Sequence, residues 1–228
     1  MPEFLFIDLD DTILDFHKAE HIALSRTLEA FGIDPTEAVC TRYSQLNREH
    51  WQRLERGELT REQVLLGRFA ALFAELEMAA DPERIAAAYE HNLSIGHYFL
   101  PGAAEALEAL HGTYKLYLAS NGTARVQAGR LESANISRYF EKIFISQLLG
   151  ANKPSKAFFD RCFAAIPGFS RDRAMMVGDS LTSDILGGKN AGIATCWVNP
   201  SHAAGREDIR PDYEIESLAR LPELLEAL

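Results

Sequence analysis

The sequence predicts an α/β protein with a doubly wound, mostly parallel sheet and an inserted α-helical segment. Short, nearly continuous apolar runs recur along the chain, as strands buried on both faces of a parallel sheet require. Helix-like patterns separate most of these runs, and this alternation is typical of a doubly wound sheet. One long interval near the start has helical patterns but no convincing strand.

Five apolar runs predict the strands of the sheet. They are FLFI (4–7), KLYLAS (115–120), KIFIS (142–146), AMMVG (174–178) and ATCWV (194–198). Helix-like patterns follow Pro101-Gly102 (AAEALEALHG) and cover residues 123–133, 155–165 and 183–190. A helical stretch thus lies between each predicted strand and the next, as crossover connections between parallel strands require.

The interval over residues 16–98 predicts a helical module inserted after the first strand. Breaks at Asp34-Pro35, Arg56-Gly57 and Asp81-Pro82 leave room for four helices. The predicted domains are therefore a core of residues 1–15 and 99–228 and an insertion of residues 16–98. Tyr43, Trp51 and Phe69 are expected to pack inside the insertion. Arg68 either contacts a substrate or forms an ion pair there.

The bulk composition limits the class of partner. A formal net charge of −10 over 228 residues disfavours nucleic acid polymers but permits a small phosphorylated metabolite at a local positive site. No apolar run approaches a membrane span or a secretory signal. Three widely spaced cysteines indicate reduced thiols rather than a disulfide framework. We expect a cytoplasmic monomer or homodimer.

Polar side chains stand where the predicted strands end. They are Asp8 and Asp10 after the first strand, Ser120 and Asn121 at the end of the second, Asp179 and Asp184 after the fourth, and Lys153 in the loop before the helix at 155–165. Because parallel strands share one carboxyl edge, these residues are expected to converge. Crowded carboxylates need a cation, and oxygen ligands without nearby His or Cys favour Mg²⁺.

This set of groups fits phosphoryl transfer. A hydroxyl, a backbone N–H and a lysine are what a phosphate dianion requires. Together with a metal ion they neutralise a phosphoryl group in transit. A carboxylate that the metal does not need is then free to attack phosphorus and form an aspartyl phosphate.

The same residues, taken in order, resemble the four motifs of the haloacid dehalogenase (HAD) superfamily of phosphotransferases. D-x-D-x-T appears as Asp8, Asp10 and Thr12, the second motif's hydroxyl as Ser120, the third motif's lysine as Lys153 before Pro154, and the fourth motif's acids as Asp179 and Asp184 in G-D-x-x-x-x-D. The resemblance implies a Rossmann-like core whose insertion is the family's helical cap.

The resemblance also implies a role for each position. Asp8 is expected to be the nucleophile and a Mg²⁺ ligand, and Asp10 the general acid/base with its backbone carbonyl on the metal. Asp179 is expected to bind Mg²⁺, and Lys153 to pair with Asp8 and the phosphate. On the substrate side, Ser120 and the backbone of Asn121 would hold phosphoryl oxygens and Thr12 would orient the loop. Asp184 would tether Lys153 or a metal-bound water.

Three longer stretches resemble the bacterial pyrimidine 5′-nucleotidases of this superfamily. They are WQRLERGELTREQVLLGRF (51–69), SNGTARVQAGRLESANISRYF (120–140) and VGDSLTSDILGGKNAGIATCWVN (177–199), with Ser120 where those relatives usually have Thr. The expected function is a Mg²⁺-dependent phosphomonoesterase acting on nucleoside 5′-monophosphates.

Other functions remain open at this point. A phosphatase of a phosphoglycolate-like or sugar phosphate is the main alternative, and a phosphomutase is not excluded. A 2-haloacid dehalogenase needs neither the metal ligand Asp179 nor a proton donor at Asp10. A non-catalytic binding protein predicts the loss of at least one motif residue, and none is lost.

Overall fold

The structure is a computed structural model that describes residues 2–228. Over these residues the chain divides into two compact units. One unit combines the residues up to Phe16 with His97–Leu228, and the other is His17–Gly96. The first contains the sheet and the second consists of helices. Within residues 2–228, no helix has the length and apolarity needed to span a membrane.

Four helices lie within residues 16–94, all of which the structure describes. They are α1 (Phe16–Ala30), α2 (Glu37–Glu55), α3 (Arg61–Glu75) and α4 (Pro82–Ser94). The hydroxyls of Thr36 and Thr60 cap α2 and α3, and Asp81 caps α4 just before Pro82. The predicted breaks therefore fall between helices. Tyr43 and Phe69 are buried in this unit, as expected, whereas Trp51 is only partly buried.

A parallel sheet, six-stranded over the described residues, forms the centre of the first unit. Its strands are β1 (Phe4–Ile7), β2 (Lys115–Ser120), β3 (Lys142–Ile145), β4 (Ala174–Gly178), β5 (Ala194–Val198) and β6 (Tyr213–Ile215), in the spatial order β3-β2-β1-β4-β5-β6. Ile7 at the end of β1 aligns with Leu118 and Val177 on its two neighbours. The winding reverses between β1 and β4, and open α/β sheets form their sites at such a switch point.

Side chains of the central strand point alternately to two separate cores. Leu5 and Ile7 belong to one core, and Phe4 and Phe6 belong to the other. All four side chains are buried, which explains why the strand reads as a continuous apolar run without polar alternation. Burying each of them contributes about 1.5–3 kcal/mol relative to leaving it exposed.

Helices cover both faces of the sheet. Over the described residues they are α5 (Ala103–Leu110), α6 (Ala124–Ser133), α7 (Ser146–Leu149), α8 (Lys156–Ala164), α9 (Leu186–Ala191) and α10 (Leu221–Glu226). Apolar residues of α5, α6 and α10 join the core around Leu5, and those of α8 and α9 join the core around Phe4. The predicted doubly wound α/β class is confirmed.

The structure differs from the sequence-based prediction in three local respects. Ser146, predicted to end a strand, begins α7 instead. The helix predicted from residue 183 is preceded by a wide turn over Leu181–Ile185, because the carbonyl of Ser180 accepts the N–H of Ile185 five residues on. The edge strand β6 and the helix α10 were not predicted, since YEI is too short to show a strand pattern.

Candidate active site

The loop after β1 brings the nucleophile candidate to the end of β4. The N–H of Asp8 donates to the carbonyl of Val177 at 3.0 Å, which continues the β1–β4 pairing by one residue. Asp11 then adopts a left-handed conformation with φ of 54°, which turns the chain back. Thr12 is fully buried, and its hydroxyl accepts the N–H of Asp179 at 3.1 Å. The loops after β1 and β4 are thus joined.

Lys153 is held in place by backbone and side-chain contacts. The amide of Asn121 accepts the N–H of Lys153 and donates to its carbonyl, both at 2.9 Å. The buried Nζ donates to Oδ1 of Asp8 at 2.7 Å, to Oδ1 of Asp184 at 2.6 Å and to the carbonyl of Ala119 at 2.6 Å. Its three N–H groups therefore have three acceptors, which a buried ammonium requires.

Asp184 lies behind Lys153, fully shielded from solvent. Its Oδ2 accepts the N–H of Ser180 at 3.1 Å, so both of its oxygens are occupied by partners within the protein. A Cβ atom at Gly178 would collide with this carboxylate. Glycine at the end of β4 is therefore required for the close approach of Asp184.

Three carboxylates surround a single ammonium group. One oxygen each of Asp8, Asp179 and Asp184 lies within 4.8 Å of the other two. Within the described residues, no hydrogen bond reaches the Asp179 carboxylate or Oδ2 of Asp8, whereas both oxygens of Asp184 are engaged. The donor set is entirely oxygen and carries excess negative charge, which fits Mg²⁺. Asp8 and Asp179 would hold the ion, with Asp184 behind them.

Burial and mutual repulsion perturb these acids. Burial raises the pKa of Asp8 to about 8; the charge of Lys153 opposes this shift, and Asp184 and Asp10 add to it. Burial also raises the pKa of Asp179 well above its usual range, with further contributions from Asp184 and Asp8. Burial alone would lower the pKa of Lys153, but Asp184 and Asp8 outweigh it and the net shift is upward. Lys153 therefore stays charged, and its single positive charge does not balance the three carboxylates of Asp8, Asp179 and Asp184.

The side chain of Asp10 lies outside this carboxylate cluster. Its Oδ1 accepts a short hydrogen bond from Nη1 of Arg130, and its Oδ2 accepts one from Nε2 of Gln127 at 2.7 Å. Both donors come from α6. Gln127 also donates to the hydroxyl of Ser120 at 2.7 Å. A Cβ atom at Gly122 would collide with the Gln127 side chain, so the glycine of Ser120-Asn121-Gly122 makes room for it.

The comparison with protein families decides the class of this site. A family model described as "Hydrolase: haloacid dehalogenase-like hydrolase" matches residues 3–192. The chain belongs to the haloacid dehalogenase-like hydrolases. It is therefore an enzyme, and the predicted resemblance is confirmed. Hydrolases of this family generally use Mg²⁺, in agreement with the acidic cluster at the end of the sheet.

Relatives cover nearly the whole hydrolase. It is 36% identical over 225 residues to the pyrimidine 5′-nucleotidase PynA of Streptococcus pneumoniae, covering 98% of this chain and 95% of the relative. It is 33% identical over 223 residues to the pyrimidine 5′-nucleotidase YjjG of Escherichia coli, covering 98% and 97%. The crystal structure of the HAD-hydrolase YfnB of Bacillus subtilis bound to magnesium matches with a TM-score of 0.94, 37% identity and 98% coverage of both chains.

The structure brings most of the predicted site residues of the hydrolase together. Asp8, Lys153, Asp179 and Asp184 form one cluster, with Asp184 placed to tether Lys153. Thr12 and Asn121 contact backbone groups of the neighbouring loops, which fits an orienting function for both. The assigned roles, including the Asp10 carbonyl as a metal ligand, stay predictions.

Sequence reasoning missed Gln127 and Arg130. The available signal was their spacing, because residues three apart share one face of a helix and this face of α6 is buried. A buried arginine and glutamine side by side on a core-facing stripe need polar partners. The sequence gives no indication that the partner is Asp10, more than a hundred residues earlier.

Proposed function

We propose that the hydrolase is a Mg²⁺-dependent phosphomonoesterase that works through an aspartyl phosphate on Asp8 and acts on nucleoside 5′-monophosphates. The observation that carries the proposal is the cluster of Asp8, Asp179 and Asp184 around one buried lysine. Its surplus of negative charge suits a divalent cation, and an ion there attracts a phosphate dianion that the carboxylates alone would repel.

The residues divide the work of two displacement steps. A carboxylate oxygen of Asp8 attacks phosphorus, the ester P–O bond breaks, and Asp10 gives a proton to the departing alkoxide. Water then attacks the phosphoryl group, Asp10 takes its proton, and the bond between Asp8 and phosphorus breaks to release inorganic phosphate. Asp8 and Asp179 would hold Mg²⁺, which would neutralise part of the phosphoryl charge and would favour the ionised form of Asp8.

Lys153 and Ser120 complete the phosphoryl site. The ammonium of Lys153 is fixed next to Oδ1 of Asp8, so it lies beside the oxygen atoms of an attacking or phosphorylated Asp8. The Ser120 hydroxyl, at the end of the neighbouring strand, is the side chain that we expect to donate to a phosphoryl oxygen. Such fixed donors stabilise developing charge without reorganising during the reaction.

The nucleotide specificity rests on the named relatives. PynA and YjjG are pyrimidine 5′-nucleotidases and align over almost the full chain. The alignment includes residues 17–96, the helical unit that the sequence resemblance identifies as the family's cap. We propose that this unit contributes to the choice of a nucleoside monophosphate over a sugar phosphate or an acid phosphate.

A panel of substrates, assayed with and without Mg²⁺, tests the proposal. Phosphate release is measured for UMP, dTMP, purine nucleotides, glucose phosphates and phosphoglycolate, and halide release for 2-chloropropionate, each with Mg²⁺ or with excess chelator. We expect the highest kcat/KM for pyrimidine nucleotides, no phosphate release with chelator, and no halide release. Preference for a sugar or acid phosphate would replace the substrate assignment, and full turnover in chelator would contradict the metal requirement.

Trapping the intermediate tests the role of Asp8. Quenched turnover mixtures treated with borohydride should convert residue 8 to homoserine, detected by peptide mass spectrometry, because an acyl phosphate is reduced where a carboxylate is not.

The role of Lys153 is tested by the variant Lys153→Met, with Lys156→Met as its matched control. Lys156 is exposed and paired with Asp160 in the next turn, so its removal should leave turnover unchanged.

We also propose that the enzyme works in the cytoplasm as a monomer or homodimer. Cys40, Cys162 and Cys196 are all buried and free, as expected in a reducing compartment. Light scattering on the purified chain measures its oligomeric state.

A further inference from the structure

We propose that Gln127 and Arg130 are positioning residues that fix the Asp10 carboxyl group for proton transfer. The inference rests on the proposed function, in which Asp10 carries the proton in both steps. Neither residue belongs to the four motifs. Both act through Asp10 rather than on the substrate.

The two donors hold Asp10 from its buried side. The Arg130 side chain is 1% exposed, whereas that of Asp10 is 28% exposed. Each donor engages a different carboxylate oxygen, so rotation about the last side-chain bond is restricted. The carboxyl group is therefore fixed from behind while its open side remains within reach of a bound molecule. A general acid/base requires this combination of fixed direction and access.

The energetic cost of the arrangement argues for a function. A fully buried guanidinium is costly to desolvate, and apolar residues of similar size usually replace such ion pairs without loss of stability. The Phe16 ring lies 5.8 Å from the Arg130 guanidinium carbon and covers it further. In the described part of the chain, the buried Oε1 of Gln127 has no hydrogen-bond partner. An unsatisfied acceptor costs about 1–3 kcal/mol. The orientation of this amide is therefore explained by the two hydrogen bonds that its nitrogen donates.

Gln127 also sets the distance between Asp10 and the expected phosphate contact. Its Nε2 donates at 2.7 Å both to Oδ2 of Asp10 and to the hydroxyl of Ser120. One amide nitrogen therefore joins the proton carrier to the side chain that we expect to bind a phosphoryl oxygen. Fixing these two groups relative to each other fixes the carboxyl relative to the leaving-group oxygen.

A leaving-group comparison tests positioning apart from folding. For p-nitrophenyl phosphate the first step needs no proton, whereas a nucleoside 5′-monophosphate leaves as an alkoxide that does. The quantity measured is the ratio of kcat/KM for the aryl phosphate to kcat/KM for the nucleotide. In Arg130→Met we expect this ratio to rise about 10-fold or more, because positioned proton transfer contributes about 10²–10⁴-fold. Arg130→Lys should restore part of it.

Pre-steady-state kinetics and controls complete the experiment. Arg130→Met should show a burst of p-nitrophenol, since hydrolysis of the phosphorylated enzyme still needs Asp10 as a base. Arg125→Met, at an exposed position of the same helix, should leave the ratio unchanged. If Arg130→Met does not fold, Gln127→Met decides by the same ratio. Equal losses on both substrates would overturn the inference, whereas a wild-type enzyme inactive on both would overturn the proposed function itself.

Discussion

Two of the buried cations, Lys153 in the first unit and Arg68 in the second, are neutralised in different ways. Lys153 contacts two carboxylates directly, and a third lies beside them. Arg68, which is 3% exposed, donates instead to the amide oxygen of Asn47 at 2.7 Å, and Asn47 donates to Glu20 at 2.6 Å. The first cluster carries excess negative charge, and the second holds one cation and one anion separated by an amide.

The contacts around Arg68 join the helices of the second unit. Glu20 lies on α1, Asn47 on α2 and Arg68 on α3, and the ring of Tyr89 on α4 lies 5.0 Å from the guanidinium carbon. Arg68 thus has an internal polar contact, although it reaches Glu20 through the amide of Asn47 rather than by the direct ion pair that the sequence suggested. A balanced buried cluster fastens helices together, whereas an unbalanced one requires an additional ion. The comparison teaches that the sum of the charges, rather than burial itself, separates the two roles.

The largest expected contrast comes from replacing one carboxylate in each cluster by its amide. Asp8→Asn removes the nucleophile and should lower kcat on a nucleotide by about 10⁴-fold or more. In the metal-free protein, Asp8→Asn should not lower the free energy of unfolding, because the substitution removes one of the surplus negative charges. Glu20→Gln should keep kcat but lose about 3–5 kcal/mol of stability, because Arg68 remains buried without an anion. Steady-state kinetics and urea unfolding measure both, and the reverse pattern would contradict the comparison.

Replacing the two cations by methionine should sharpen the same contrast. Lys153→Met should lower kcat/KM by about 10²–10³-fold, the usual effect of losing one fixed donor to a transition state. Arg68→Met should act on stability alone, and combining it with Glu20→Gln should recover part of the loss, with a coupling of about 0.5–3 kcal/mol. Additive losses in that double variant would show that the bridge through Asn47 carries no charge coupling.

Magnesium should stabilise the folded chain only through the unbalanced cluster. At a concentration 100 times its Kd, bound Mg²⁺ adds about 2.7 kcal/mol to the free energy of unfolding. We expect this gain in the wild type and in Glu20→Gln, and its loss in Asp179→Asn. Denaturant unfolding with Mg²⁺ or with chelator measures it. An unchanged gain in Asp179→Asn would remove Asp179 from the metal site.

Per pH unit, the smallest expected effect is a pH dependence of stability in the metal-free protein. Asp8 titrates near its ordinary value of 3.8 when unfolded and at about 8 when folded. Between these values the folded chain binds more protons, so stability falls as pH rises, by up to about 1.4 kcal/mol per unit for one group. Unfolding in chelator from pH 5 to pH 8 should show this slope in the wild type and in Glu20→Gln. A slope that persists in Asp8→Asn would assign it to other groups.

The strand-end residues could be predicted because a local pattern marks each of them. Asp8 and Asp179 directly follow buried apolar runs, and parallel strands bring such positions to one edge regardless of the residues between. The sequence around Arg130 gives no comparable signal. Its contact with Asp10 depends on how α6 is rotated against the sheet, which side-chain packing determines. The open alternatives for Arg68 had the same cause, since helical periodicity shows burial but not the partner.

One edge strand of the sheet, β6, was not predicted, for another reason. β6 has only three residues and pairs on one side only, with β5, so it needs no continuous apolar run. Its first residue, Tyr213, is only partly buried. Such short edge strands are defined by the neighbour that they pair with.

The central position of β1 also has a consequence during protein synthesis. Phe4 pairs with Lys115 and with Ala174, so 111 and 170 residues separate it from its two partners. At roughly 5–20 residues per second, a ribosome needs about 5–35 s to supply them. Until β2 is made the apolar segment FLFI has neither neighbour, and until β4 is made it has only one, whereas residues 17–96 form a unit whose sequence is continuous. The first strand to be synthesised is therefore the one whose pairing on both edges must wait until β2 and β4 leave the exit tunnel.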